Sequence, residues 1–360
     1  MNTFRLLINK IFNSLSTDIG IDLGTANTLI YVKGKGIVLN EPTIVAINKK
    51  TGQLVAVGND ARAMQGRTPG HIDVVRPLVD GVISDFEVTE EMLGYLINKV
   101  RNDTHTLLAP RVLIGVPSGV TNVEMRAARD AARNAGAREV FLIEEPMAAA
   151  IGAKLPVSKA IGSMIIDIGG GTTDIAVIAL NGIVVSKNLR TAGDHLSQAI
   201  ASYIRDQFKV YVGERTAEDV KIMLASIEHK GKEGSKEHIV RGRDVITGLP
   251  REVVITDSDV REAIAVQVDS IVEAVRRVLE ITPPEMMSDI MQHGVHLSGG
   301  GALIPGLRAL LEEMIEVPVI IVPDPLRAVV RGTGIVIENF ALYEEILIDK
   351  EGELSPNFSN

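Results

Sequence analysis

The sequence predicts an α/β protein made of two duplicated halves, and three observations predict it. Residues 18–32, DIGIDLGTANTLIYV, read as strand, tight turn and strand, and the pattern returns over residues 163–178 as SMIIDIGGGTTDIAVI. Laid over each other, Asp22 falls on Asp167, Gly24 on Gly169, Thr25 on Gly170 and Thr28 on Thr173. The chain's 360 residues exceed one ordinary core and suit two domains of about 100–200 residues each. Helical stretches with legible caps separate the two hairpins.

In both hairpins β-branched residues follow the turn, so the phosphate-loop candidate closes a hairpin and does not open a helix. Residues 46–78 are punctuated by Gly and Pro and read as an insert. Thr121 with Glu124 three residues on is a capping box, opening an Ala-rich helix that runs to Ala135 and ends at Gly136. Residues 229–244, with Lys230, Lys232, Lys236, Arg241 and Arg243, read as a solvated loop or hairpin edge. A long helix starts near Ser258, carries Val260, Ile264, Val268, Ile271, Val275, Val278 and Leu279 on one side, and stops at Pro283 and Pro284.

Composition excludes several classes. Hydrophobic residues make up 46% and charged residues 23%, a globular balance. A net charge of −9, with aromatics at 3% and no Trp, offers neither attraction to a polyphosphate nor stacking platforms, so no nucleic-acid partner is expected. Cysteine is absent, which removes disulfides, thiolate metal sites and a cysteine nucleophile and fits a cytoplasmic protein. No apolar run is long enough to span a bilayer. The apolar, weakly basic first 15 residues lack a small-residue cleavage site, and the first hairpin follows at once, so a signal peptide is rejected.

A triphosphate with its magnesium needs backbone N–H donors at close range and carboxylates for the metal's water shell. Glycine lets the chain approach phosphate oxygens, and successive N–H groups form an anion nest. Gly24, Thr25 and Ala26, with Asn27 beside them, supply one nest; Gly169, Gly170 and Gly171, with Thr173 beyond, supply the other. Asp22 and Asp167 end the strands before these turns and suit outer-shell contacts to Mg²⁺, which keeps several waters. A folding role for either Asp is the alternative. One glycine turn alone is weak, whereas the paired hairpins are specific. No G-x-x-x-x-G-K-[ST] occurs, and no G-x-G-x-x-G opens a helix after the first strand, which excludes a P-loop NTPase and counts against a dinucleotide dehydrogenase.

Two further segments fit a nucleotide. Residues 297–307, LSGGGALIPGL, read as strand, glycine-rich turn and helix, where Gly299, Gly300, Gly301 and Ala302 admit the adenosine and α-phosphate. Residues 213–221, GERTAEDVK, place Glu218 and Lys221 at i, i+3, suited to a ribose and a base; an ordinary surface salt bridge is the alternative.

The segments IDLGTANTLIYVKGKGIVLNEP, IEEPMAAAIGA, DIGGGTTD, GERTAE, LSGGGAL and RGTG, in this order, resemble the actin superfamily and, within it, the MreB group of rod-shape-determining bacterial actins. The resemblance covers residues 18 to about 337. It implies an actin-like ATPase fold, two duplicated α/β domains in four subdomains around a nucleotide cleft. By motif position subdomain IA takes residues 18–45, 79–158 and 325–360, IB 46–78, IIA 159–188 and 249–324, and IIB 189–248, with 1–17 as a membrane-binding helix. The resemblance further implies ATP and Mg²⁺ as cofactors and ATP hydrolysis tied to filament assembly. The expected partners are further copies of the chain, the inner face of the cytoplasmic membrane, and the membrane proteins of shape determination and cell-wall synthesis. Glu145 matches the residue that orients the attacking water and Thr172 the one that assists it; a carboxylate one water away is able to take the proton of an in-line displacement.

The sequence departs from the group's pattern at Asp174, where Glu is usual, in the apolar run IMLASI at residues 222–227, at Ser197, where an acidic residue is frequent, and at Val330, where Ala is usual. These departures bear on hydrolysis rate and filament dynamics and keep a weakly or non-hydrolysing filament as an alternative. A small-molecule kinase needs an acceptor pocket with its own base, for which no candidate other than Glu145 is found. A chaperone needs a further peptide-binding domain, where this chain shows a short polar tail, SPNFSN.

Membrane contact is read from two places. Phe4, Leu7, Ile8, Ile11 and Leu15, with Phe12 at the margin, share one face of a helix over residues 3–15, and no acidic residue precedes Asp18. The alternative is that this helix packs on the protein's own body. Leu107 and Leu108 lie in a polar stretch and read as a membrane-touching loop or as a pair tucked beneath the next strand.

Overall fold

The computed structural model describes residues 18–104, 108–228 and 236–348. The predicted helix with Phe4, Leu7, Ile8, Ile11, Phe12 and Leu15 lies outside the described residues, as do Leu107, Lys230 and Lys232. Two compact units divide the chain: Met1–Lys159, Ala179–Ile183 and Arg327–Asn360 form the first, Ala160–Ile178 and Val184–Leu326 the second.

In the first unit a five-stranded sheet has the order Glu139–Glu144, Arg111–Val116, Ile19–Leu23, Asn27–Val32, Gly36–Pro42. The first three strands are parallel and the last two continue as antiparallel hairpins. Alternation along Ile19–Leu23 separates its two faces. Ile19, Ile21 and Leu23 enter a core with Met92, Leu96 and Ile97 of helix Phe86–Thr104 and with Met125, Ala128 and Ala132 of helix Asn122–Asn134. Gly20 faces the other way, where a Cβ would collide with Thr333 of helix Ala328–Glu338. Asp22 shares that second face. The insert predicted at 46–78 is a three-stranded sheet, Leu54–Val57, Val45–Asn48, Ile72–Val75, with helix Asn59–Met64 closing a small core around Ile44, Ala46 and Ala61.

A second five-stranded sheet, nearly all of it in the second unit, repeats the same order with Val319–Ile321, Val295–Ser298, Ser163–Ile168, Thr173–Ala179, Gly182–Leu189. The duplication read from the hairpins therefore extends to the whole sheet. Helix Asp257–Glu280 buries all seven residues predicted for its inner side, beside Leu196, Ile200 and Ile204 of helix Gly193–Phe208. Its start is fixed by a second capping box, Thr256 with Asp259. The basic run becomes a hairpin edge: Glu237–Asp244 pairs with Pro250–Thr256, Arg241 and Arg243 are exposed, and Val240 is buried. Among the described residues no helix is long and apolar enough to cross a membrane.

Candidate functional site

Each unit's hairpin builds a turn with a carboxylate at the same register. Asp22 pairs with Leu29 and Asp167 with Asp174, seven residues on in both cases, and each Asp also lies against a parallel strand, at Gly115 and Ser298.

In the first unit the turn over Gly24, Thr25 and Ala26 is fixed by Thr43. The Thr43 hydroxyl donates to Gly24 O at 2.6 Å, its N–H donates to Ala26 O at 3.0 Å, and its Oγ1 lies 2.9 Å from that of Thr28. Thr43 was not among the predicted site residues, because only the pairing of Asn27–Val32 with Gly36–Pro42 carries it to the turn. A Cβ on Gly24 would stand 2.8 Å from Asn27 O and 3.7 Å from Asp22 Oδ1, so the tightness of the turn requires glycine there. The buried Thr25 hydroxyl accepts from Gly81 N at 2.9 Å, while Asn27 is exposed. Glu145 opens helix Glu145–Gly152 with Pro146 behind it and Glu144 as N-cap. Only 8% of Glu145 is exposed, and its Cγ stands 3.4 Å from the place of a Cβ on Gly115. Leu108, the described half of the proposed loop doublet, is half-buried at a bend.

In the second unit Gly169 N donates to Thr172 O at 2.9 Å and closes the glycine turn. Gly169 O accepts from Gly193 N at 3.1 Å, and Gly170 O accepts from Asp194 N at 2.8 Å. A trans peptide sets N–H opposite C=O, so the Gly170 and Gly171 N–H groups point away from helix Gly193–Phe208, as an anion nest needs. Gly193 was also missed; glycine's signal there is a loop closing on another loop, which no local pattern displays. Thr172 is buried, and Thr173 donates its hydroxyl to Thr191 O at 2.7 Å.

Asp167 is buried, and its Oδ1 has no hydrogen-bond partner. Burial pushes its carboxyl up from 3.8 to about 7; the Asp174 charge adds to the rise and a hydrogen bond from Ser298 opposes it. Asp174 is itself buried and accepts from Asn188 Nδ2 at 3.0 Å. An orphaned carboxylate oxygen in such a setting fits a hydrated cation, which supplies the missing donors and charge.

The segment at 297–307 is strand Val295–Ser298, a 3₁₀ turn Gly300–Leu303 and helix Leu307–Ile315. Gly299, at φ 77°, and Gly301 both lie so close to Ile168 that a Cβ on either would overlap it. Gly300 is exposed and Ala302 belongs to the core. On helix Glu214–Leu224 the Lys221 ammonium stands 2.6 Å from Glu218 Oε2 and donates to Gly193 O at 2.8 Å. The pair thus reaches the glycine loop through Gly193, which a surface salt bridge does not.

The family model for MreB/Mbl protein matches residues 16–345. The chain is 50% identical over 323 residues to the cell shape-determining protein Mbl of Bacillus cereus, covering 89% of this chain and 96% of that protein. It is 49% identical over 349 residues to the cell shape-determining protein MreB of Escherichia coli, covering 96% and 100%. The crystal structure of MreB5 of Spiroplasma citri bound to ADP superposes with a TM-score of 0.86 at 38% identity, covering 92% of this chain and 98% of that one; the same protein has also been solved bound to AMPPNP.

Proposed function

The chain belongs to the MreB/Mbl protein family, and from that premise we propose that it binds and hydrolyses ATP with Mg²⁺ and polymerises into filaments on the inner face of the cytoplasmic membrane. The filaments serve cell shape by organising cell-wall synthesis. The observation that carries this reading is the doubled hairpin, one phosphate turn per unit with Asp22 and Asp167 at one register.

The turns at Gly24–Asn27 and Gly169–Gly171 hold the phosphates through N–H groups. Asp22 and Asp167 accept from the water shell of Mg²⁺, whose charge neutralises the phosphate oxygens when bound. Glu145 takes a hydrogen bond from the attacking water, aligns it and receives its proton, and the Thr172 hydroxyl assists it near the terminal phosphate. Glu218 and Lys221 meet the ribose and base, and Gly300 is the member of its turn open to a ligand. Residues 3–15 anchor the polymer to anionic lipid through Phe4, Leu7, Ile8, Ile11, Phe12 and Leu15, and Leu107 with Leu108 adds a second contact.

Phosphate release from ATP and Mg²⁺ with no small-molecule acceptor, together with ATP-dependent pelleting, tests the reading. Release only on addition of an acceptor would make the chain a kinase. Pelleting with no release at all would leave a filament that does not hydrolyse.

A further inference from the structure

Ser197, Glu218 and Lys221 form a polar network around Gly193 in the second unit. The Ser197 hydroxyl donates to Glu218 Oε2 at 2.6 Å, and Lys221 Nζ stands 2.6 Å from the same oxygen. Two donors converging on one carboxylate oxygen hold the group in one orientation, which a lone ion pair on a helix surface does not do. A buried helical serine ordinarily bonds back to the carbonyl four residues earlier. Here that carbonyl, Gly193 O, is 3.1 Å away, so the shorter contact to a charged acceptor takes the single hydroxyl proton. Gly193 O instead accepts from Lys221 Nζ at 2.8 Å, and Gly193 N donates to Gly169 O at 3.1 Å. The network therefore runs unbroken from the phosphate turn to the Glu218 carboxylate.

Resting on the reading that Glu218 meets the ribose, we propose that Ser197 is a positioning residue that makes the site select ribonucleotides over deoxyribonucleotides. A site built to hydrogen-bond a hydroxyl rejects the analogue that lacks it, because the polar group is left unmatched. Such discrimination needs an acceptor of fixed direction. Without the Ser197 hydroxyl, one of the two donors that converge on Glu218 Oε2 is lost, and the carboxylate is freer to turn about its terminal torsion, which is broad.

Equilibrium binding of ATP, 2′-deoxy-ATP and 3′-deoxy-ATP to the full chain, with S197A, S197T and E218Q beside wild type, tests this. Wild type is expected to prefer ATP over at least one deoxy analogue by about tenfold, the weight of one hydrogen bond to a charged group. S197A is expected to lose most of that preference through weaker ATP binding, with the analogue nearly unaffected. S197T, which keeps the hydroxyl, is expected to retain the preference, and E218Q to lose it. Equal weakening of all three nucleotides in S197A means a merely structural role and overturns the proposal. A preference that survives in E218Q, or none in wild type, also overturns it while ATP binding stands. If wild type binds none of the three, the nucleotide reading itself fails. Should S197A not fold, the comparison of S197T and E218Q with wild type decides.

Discussion

Burial moves the Asp167 carboxyl from 3.8 to about 7, and the direction has a consequence for stability. Between those values the folded chain holds a proton that the unfolded chain has released. The residue's contribution to stability is therefore greatest below about pH 4, declines as pH rises toward about 7, and stays low above. D167N cannot ionise, so in EDTA it is expected to raise stability at pH 8 by roughly 2–4 kcal/mol and to change it little at pH 4. Urea unfolding at the two pH values checks this. The same variant should lose magnesium-dependent ATP affinity, and equal losses with and without Mg²⁺ would point to a folding role. Glu145 is a different case, a buried carboxylate at a helix N-terminus. E145A is expected to keep ATP bound and slow hydrolysis by roughly 10²–10⁴. Single-turnover phosphate release at the wild-type rate would remove Glu145 from the reaction.

Among the elements, capping was legible where its residue types were the usual ones. Thr121 and Glu124 form the expected box, with Thr121 N donating to Glu124 Oε2 at 2.7 Å. Thr256 with Asp259 makes the same box, but the shorter Asp at the third position falls outside the usual Glu or Gln pattern. The apolar pattern predicts a start near Ser258, and the box sets it at Asp257. T256A is expected to lower stability by about 1 kcal/mol with nucleotide affinity unchanged, measured by urea titration and ATP binding on one preparation. The packing of helix Glu145–Gly152 on helix Ala328–Glu338 was not legible. A Cβ on Gly332 would overlap Ala148 O, and one on Gly152 would overlap Ala328 O. Each glycine looks like an ordinary helix residue until its partner, some 180 positions away in the chain, is known.

For the whole molecule, the membrane proposal turns on copy number. Each large apolar side chain on residues 3–15 contributes about 1.5–3 kcal/mol if fully buried. Burial at an interface is partial, and ordering the helix costs about 1–2 kcal/mol per residue in backbone entropy. On that proposal one copy would bind weakly and reversibly, whereas a polymer presenting many would gain by avidity. Full-length protein is expected to pellet with anionic liposomes only above its polymerisation threshold, and a truncated chain starting at Ser16 not at all. Equal pelleting of both below that threshold would exclude the helix as anchor.

Some of this was determined along the chain alone. The repeated hairpin, the placement of Asp22 and Asp167 at one register, the seven inward positions of helix Asp257–Glu280 and the Thr121 cap all depend on residues near one another in sequence. Periodicity and capping express such residues directly. Other features depend on residues brought together by sheet and helix packing. Thr43 reaches the Gly24 turn through strand pairing, Gly193 through the closure of one loop on another, and Ser197 reaches Glu218 from a neighbouring helix. Gly299 and Gly301, read as an opening for a ligand, are needed in large part for their approach to Ile168. The division has a physical reason: backbone geometry repeats with a short period, so its preferences are written locally. A side-chain hydrogen bond or a contact at van der Waals distance has no period, and exists only once the tertiary fold has set two distant segments within a few ångströms.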